Sequence, residues 1–291
     1  MIQEAKLVTR PTAIRELEAF NESINILVYG DSGVGKTVLA GTAPNSLFLS
    51  TETGTISAKR QKSKSKVWRI KSWKDLEEAY KYLAEDDHGF EWVNLDSVTK
   101  MQQQLIRDTL DRRVEKRGDS DPDIPEIADH QKFQNKFKRF MTAFIELPVN
   151  TLFTAMAMRK EDEEGDDLVL PSIEGKGYGI ANYACAEMDV VAYLGIAKDK
   201  ATKQMVRRLL CQPTPPYFAK DRYDCLGKYI DDPTMPMILD MIMGSAPGAE
   251  EKEEAQPTKK GKTPAKAKGK VDDDEDFSVD EDTDLEFDDE D

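Results

Sequence analysis

Histidine and cysteine are scarce in this chain of 291 residues, with two and three occurrences. The cysteines, Cys185, Cys211 and Cys225, are odd in number and widely spaced, which argues against a disulfide framework or a zinc site. His88 and His130 sit in polar sequence and read as surface or structural residues rather than general bases. Long apolar runs are missing too. None approaches the roughly 18 to 20 residues that a bilayer crossing needs, and the N-terminus lacks the short apolar segment of a signal peptide. The expectation is a cytoplasmic protein with no membrane partner.

Basic residues are missing from one end. Asp272 to Asp291 hold fourteen Asp and Glu and no Lys or Arg, whereas residues 246–271 carry seven Lys against four Glu. Of the net charge of −15, the tail supplies −14 and this linker +3, which leaves −4 for residues 1–245. The acidity is a property of the tail. A nearly neutral body neither supports nor excludes a nucleic-acid partner, and it is long enough for a sizeable core. From Ser245 onward Ala, Lys, Pro, Gly and Glu dominate, then acid alone, a composition that buries too little apolar surface to offset chain entropy. The sequence therefore divides into an N-terminal extension (1–21), a folded body (22–245), a Lys/Pro/Ala-rich disordered linker (246–271) and a disordered acidic tail (272–291).

What is present is concentrated between Ile24 and Thr37. The apolar run Ile26-Leu27-Val28-Tyr29 has the length and β-branched content of a buried strand, and it ends in Gly30-Asp31-Ser32-Gly33-Val34-Gly35-Lys36-Thr37. This is the complete phosphate-binding loop pattern in its required strand-loop-helix setting. Its glycines let successive N–H groups curl inward at phosphate oxygens, and the helix opening near Lys36 adds the positive end of its dipole. Lys36 is then positioned for the β- and γ-phosphates of ATP, and the Thr37 hydroxyl for Mg²⁺. The alternative is a glycine-rich turn with no ligand.

Strands and helices alternate along the body. Ser46–Ser50, Val67–Ile70, Glu91–Ser97 and Thr151–Ala155 read as strands, and helical spacing follows Ser72, Val98 and Ile127. Ser72-Trp73-Lys74-Asp75 resembles a capping box. Phe133, Phe137, Phe140, Met141 and Phe144 share one helical stripe, which predicts core packing rather than base stacking. The alternation implies βαβ units and a mostly parallel sheet with ligand chemistry at the carboxyl ends of its strands. Beyond Ala155, Met156 to Gly179 is polar, with residues 161–167 as a hairpin tip or mobile loop. Met188–Ile196 and Met205–Cys211 read as antiparallel strands, and Pro233–Met243 as a closing helix.

Two carboxylates fall at the same edge as the loop. Asp96, ending an apolar strand, suits the Mg²⁺ shell, while capping of the next helix by Asp96 or Ser97 is compatible with that role. Glu52 follows the strand next in sequence and suits polarisation of an attacking water; a solvated strand-end glutamate is the alternative.

The segment Phe48-Leu49-Ser50-Thr51-Glu52-Thr53-Gly54-Thr55 resembles the strand-plus-glutamate segment of RecA-type recombinases. With the phosphate loop, the Asp96 strand, Pro171-Ser172-Ile173-Glu174-Gly175-Lys176 and Ala219-Lys220-Asp221-Arg222, it makes residues 22–243 similar to phage-encoded RecA-core ATPases. These include single-strand annealing recombinases of the Sak type and are often labelled AAA-family ATP-binding proteins. The resemblance implies a RecA-like α/β core, a homo-oligomer, a catalytic Glu52, and single-stranded DNA as partner in recombination or annealing. A separate N-terminal oligomerisation domain is not evident. By position, Arg159, Lys160, Lys176 and Tyr178 are the DNA-binding candidates, with an ordinary surface loop as the alternative. The resemblance likewise makes Lys220 and Arg222 candidates for sensing a neighbour's γ-phosphate, or else solvated surface charges.

The tail, with Phe277, Leu285 and Phe287 among its acids, resembles the tips of single-stranded-DNA-binding proteins that recruit replication and repair factors. It reads equally as a solubilising chain, a lure for basic partners, or a DNA mimic folding back on its own chain. A nucleotide-gated helicase loader or replication accessory factor is the second functional reading. A small-molecule kinase is disfavoured because no arginine-clustered lid or acceptor motif is present.

Overall fold

The computed structural model describes residues 23–244, apart from 53–57, 60–61, 86, 118–120, 122, 162–163, 176–178 and 200–201. The N-terminal extension, the linker, the acidic tail, Lys176 and Tyr178 lie outside the described residues. In chain order the elements are β1 (Asn25–Gly30), α1 (Lys36–Ala40), β2 (Ser46–Ser50), β3 (Lys66–Arg69), α2 (Trp73–Glu85), β4 (Trp92–Asp96), α3 (Val98–Lys116) and α4 (Ile127–Ile145). They continue with β5 (Asn150–Glu161), β6 (Asp167–Pro171), α5 (Gly179–Glu187), β7 (Val190–Lys198), β8 (Met205–Leu210), β9 (Lys220–Asp221), β10 (Tyr229–Asp231) and α6 (Met235–Ile242).

Apolar runs too short for helices became the strands, and their burial on both faces explains the unbroken hydrophobicity. Every residue of β1, β2 and β4 is buried. Alternate residues of β1 point to opposite faces: Leu27 and Tyr29 join a core formed with α2, α3, α4 and α5, whereas Ile26 and Val28 join one formed with α1 and α6. The sheet order is β10-β8-β7-β1-β5-β4-β2-β3, with β6 added to β5 and β9 to β7. From β3 to β7 along that path the neighbours are parallel, and the pairings of β8, β9 and β10 are antiparallel. The fold is α/β, with a mostly parallel central sheet and antiparallel C-terminal strands. No helix among the described residues is long and apolar enough to cross a membrane.

The capping box is realised: Asp75 Oδ2 accepts from the Lys71 and Ser72 N–H groups at 2.7 and 2.9 Å, and Ser72 Oγ accepts from Asp75 N–H at 3.3 Å. All five members of the Phe/Met stripe of α4 are buried in the core. Two features differ from expectation. Strand β5 runs six residues beyond Ala155, to Glu161, because it pairs antiparallel with β6 from Ala157↔Pro171 to Glu161↔Asp167. Helix α5 is not expected from the sequence; its Ile-Ala-Asn-Tyr-Ala-Cys-Ala run lacks a polar face, and it is held to α4 by a 2.6 Å hydrogen bond between Thr142 and Tyr183.

Candidate functional site

The loop between β1 and α1 has the backbone its glycines permit. Gly33 and Gly35 adopt φ of 82° and 107°, left-handed values that residues with a Cβ rarely accept. Gly30 meets a different demand, since a Cβ there would stand 2.2 Å from the Leu194 carbonyl oxygen of β7. The loop borders a cavity of about 330 Å³ that Lys36, Thr37, Glu52, Asp96, Ser97, Met156 and Arg207 also line.

Topology gathers these residues. Strand β5 lies between β1 and β4, so Asp96 approaches the loop from two strands away. The Thr37 hydroxyl on α1 donates to Asp96 Oδ2 at 2.9 Å, and Thr154 of the intervening strand donates to Oδ1 at 2.6 Å. Burial pushes the Asp96 carboxyl above the usual range, while these two hydroxyls pull it back towards the charged form. Burial likewise moves the Lys36 ammonium below its usual range, opposed by the charges of Asp96, Glu52 and Asp31. Lys36 Nζ donates to the Gly30 and Asp31 carbonyls, both at 2.7 Å.

Glu52 enters just beyond β2. Its Oε1 accepts from the Ser97 hydroxyl at 3.2 Å and lies 3.5 Å from Lys100 Nζ, and its backbone carbonyl accepts from Ser50 and Arg69. The two segments behind the carboxylates are also tied, by Thr51 N–H donating to the Asp96 carbonyl at 2.9 Å. Asp31, at the loop's outer side, accepts both guanidinium arms of Arg159 at 2.9 and 3.2 Å.

The donor set suits a hard divalent cation. Thr37 and Asp96 offer hydroxyl and carboxylate oxygens, and among the described residues no group of three or more His, Cys, Asp or Glu competes as a metal site. Mg²⁺ takes few protein ligands when substrate phosphates complete its shell, so this sparse pair fits.

Arg207 and Met156 were missed by sequence reasoning. Arg207 on β8 stands so close that a Cβ on Gly35 would lie 2.4 Å from its Nε. Its neighbour Arg208 projects to the other side, pairs with Asp231 at 2.7 and 2.8 Å and lies over the Tyr229 ring. The available signal was two consecutive arginines on one strand, which alternation must send to opposite faces. Arg159 lies at the site's rim, and Lys160 is the next, exposed residue of β5. Lys220 and Arg222 are elsewhere in the chain. Lys220 Nζ donates to the carbonyls of Cys185, Ala186 and Met188 at 2.7 to 3.3 Å, and Arg222 pairs with Asp189 at 2.6 Å.

The AAA domain family matches residues 22–223. Among curated proteins none matches. Of the solved structures, one similar chain is the KaiC-like protein PH0186 from the hyperthermophilic archaeon Pyrococcus horikoshii OT3, at 14% identity and a TM-score of 0.41, covering 73% of this chain and 90% of that one.

Proposed function

The chain belongs to the AAA domain family, a family of nucleotide-binding ATPases, and from that premise we propose that it is an Mg²⁺-dependent ATPase of RecA-like type acting on single-stranded DNA in phage recombination or annealing. The observation that carries the chemistry is the Thr37–Asp96 hydrogen bond at 2.9 Å, with Lys36 and Glu52 lining the same cavity. On this proposal Thr37 and Asp96 are the metal-holding pair and Lys36 and Glu52 the hydrolytic pair, and the proximity of all four to one loop supports it.

In this reading the loop N–H groups and Lys36 hold the β- and γ-phosphates, with Lys36 exchanging two backbone carbonyls for phosphate oxygens. Thr37 and Asp96 hold Mg²⁺, which when bound draws charge from the phosphate oxygens. Glu52 orients the attacking water and takes up its proton, and Ser97 and Lys100 fix the carboxylate that does so. Arg207 adds a cation at the cavity mouth. For DNA, support comes from the β5–β6 hairpin, which rises from the nucleotide edge of the sheet and carries Arg159 and Lys160.

The test is ATP hydrolysis by the purified chain with and without a single-stranded oligonucleotide at two salt concentrations, beside Glu52→Gln. DNA-stimulated hydrolysis that Glu52→Gln abolishes is the expected result. Hydrolysis indifferent to DNA refutes the DNA assignment and turns attention to a protein partner, as for a helicase loader. Undiminished hydrolysis by Glu52→Gln refutes its role.

A further inference from the structure

Away from the nucleotide edge, two grooves run side by side along α4. The first, about 500 Å³ between α3 and α4, is lined by Arg112, Lys116, Arg117, Lys132, Lys136 and Arg139; Arg112 pairs with Asp108, Arg117 with Glu126, Lys132 with Asp129 and Lys136 with Glu77, and with Arg113 the cations still outnumber these acids. The second, about 510 Å³ between α2 and α4, has half-buried Tyr80 and Ala143 over the buried Leu76, Phe140 and Phe144, with the exposed Glu77, Lys81 and Glu85 beside them. Lys136 and Arg139 line both, so a cationic track and an aromatic track share one wall. Ile127 is 91% exposed and sits between Glu126 and Ala128, both members of the basic groove, adding apolar surface there.

A ligand for such a surface must alternate negative charge with apolar side chains. Nucleic acid meets the charge condition, but a phosphate backbone carries no aliphatic or aromatic side chains for the second track. The chain itself contains a segment that meets both. Residues 272–291 hold fourteen carboxylates interrupted by Phe277, Val279, Leu285 and Phe287. The Lys-rich linker offsets only +3 of that charge. The remainder lacks a local counterpart.

We propose that the C-terminal acidic segment docks in cis on the paired α3–α4 and α2–α4 grooves, its carboxylates on the Arg/Lys track and its Phe and Leu side chains on the aromatic track. Reach is sufficient. From Gly244, the last described residue, to Phe277 is about thirty residues, which as a flexible chain span on the order of 30 Å and fully extended about 100 Å. A domain of this size has a radius of gyration of about 17 Å. Tethering at that distance holds the segment at roughly millimolar effective concentration, enough for a weak polar and apolar contact to be populated.

The test is zero-length carbodiimide crosslinking of the full chain at low and moderate salt, read by mass spectrometry on mixed ¹⁴N- and ¹⁵N-labelled protein. Crosslinks from tail carboxylates to Lys116, Lys132 and Lys136 should exceed those to the exposed reference residues Lys64, Lys66 and Lys203 by about tenfold, within single chains, and fall with salt. Two variants sharpen it. Arg112→Glu with Arg139→Glu should bring groove crosslinks down to reference level, and so should Phe277→Ser with Leu285→Ser and Phe287→Ser, which leaves every charge in place. Crosslinks spread evenly over surface lysines, groove crosslinks indifferent to the Phe and Leu changes, or crosslinks only between differently labelled chains would each overturn the proposal. So would an oligonucleotide that protects the groove lysines while the tail reacts elsewhere.

Discussion

The two ends of the central sheet are built from the same kinds of side chain and put them to opposite use. At the carboxyl end of β1, Lys36, Thr37, Glu52, Asp96 and Arg207 surround a cavity of about 330 Å³. At the other end, polar groups face one another. Asp189 accepts from the Asn25 N–H at 2.9 Å and from Arg222 at 2.6 Å, Thr151 donates to the Asn25 side chain at 2.5 Å, and Lys220 spends its ammonium on three carbonyls at the end of α5. A lysine over orphan carbonyls at a helix C-terminus stabilises that helix. Burial moves both ammonium groups, Lys36 and Lys220, below their usual range, and both donate to backbone carbonyls. What differs is the setting: Lys36 lines an open cavity shared with Glu52 and Asp96, whereas Lys220 closes off the end of a helix.

Substitutions can break this contrast. Replacing Lys36 with Ala should lower ATP hydrolysis by about 10² to 10³-fold, measured as phosphate release, while the thermal midpoint stays level or rises. A large loss of stability instead would mean that Lys36 belongs to the structural class. Asp96→Asn should also cost about 10²-fold in rate and raise ligand-free stability at neutral pH. The sign follows from its raised folded pKa: both states are protonated at low pH, and the cost of burying the charge sets in as pH climbs through the unfolded carboxylate range towards the folded value. The stability gain of Asn over Asp should therefore shrink as pH falls, which denaturant titrations at two pH values will read.

Lys220→Met probes the opposite end and should cost about 1 to 3 kcal/mol by urea titration, leaving the hydrolysis rate per folded chain within about twofold. A lost rate in a fully stable variant would mean that Lys220 leaves its three carbonyls for a neighbour's nucleotide. Smallest of all, Arg159→Ala removes an exposed ion pair to Asp31 and should change stability by less than about 1 kcal/mol, with at most a few-fold change in the KM for ATP.

What was legible in the sequence was what short-range chemistry dictates. The glycines of the phosphate loop, the apolar runs of β1, β2 and β4, and the α4 stripe each carry their own reason within a dozen residues. Asp96 could be placed at the nucleotide edge because a parallel sheet has its carboxyl ends together. Arg207 could not, since its approach to Gly35 depends on β7 pairing with β1 and β8 folding back on β7, a long-range arrangement with no local mark. The same holds for Lys220, whose partners appear only when α5 ends beside β9. Helix α5 itself was invisible because it is apolar nearly all round, and periodicity needs a polar face to register. The extension of β5 was hidden by its shift from apolar to charged residues, which a two-stranded ribbon tolerates and a central strand does not.

Helix α1 is only five residues long, yet it is fastened to β4 at two points. Thr37 bonds Asp96 near one end, and the Asn94 side-chain amide donates to the Ala40 carbonyl at the other, at 3.1 Å. Helix and strand are thereby laced like two rungs of a ladder, two residues apart on β4 and three apart on α1. The spacing between the Thr37 hydroxyl and the Asp96 carboxylate is therefore set twice over, by their own bond and by the clasp one turn along the helix, so the two oxygens are held at a fixed separation even though the helix is too short to hold itself.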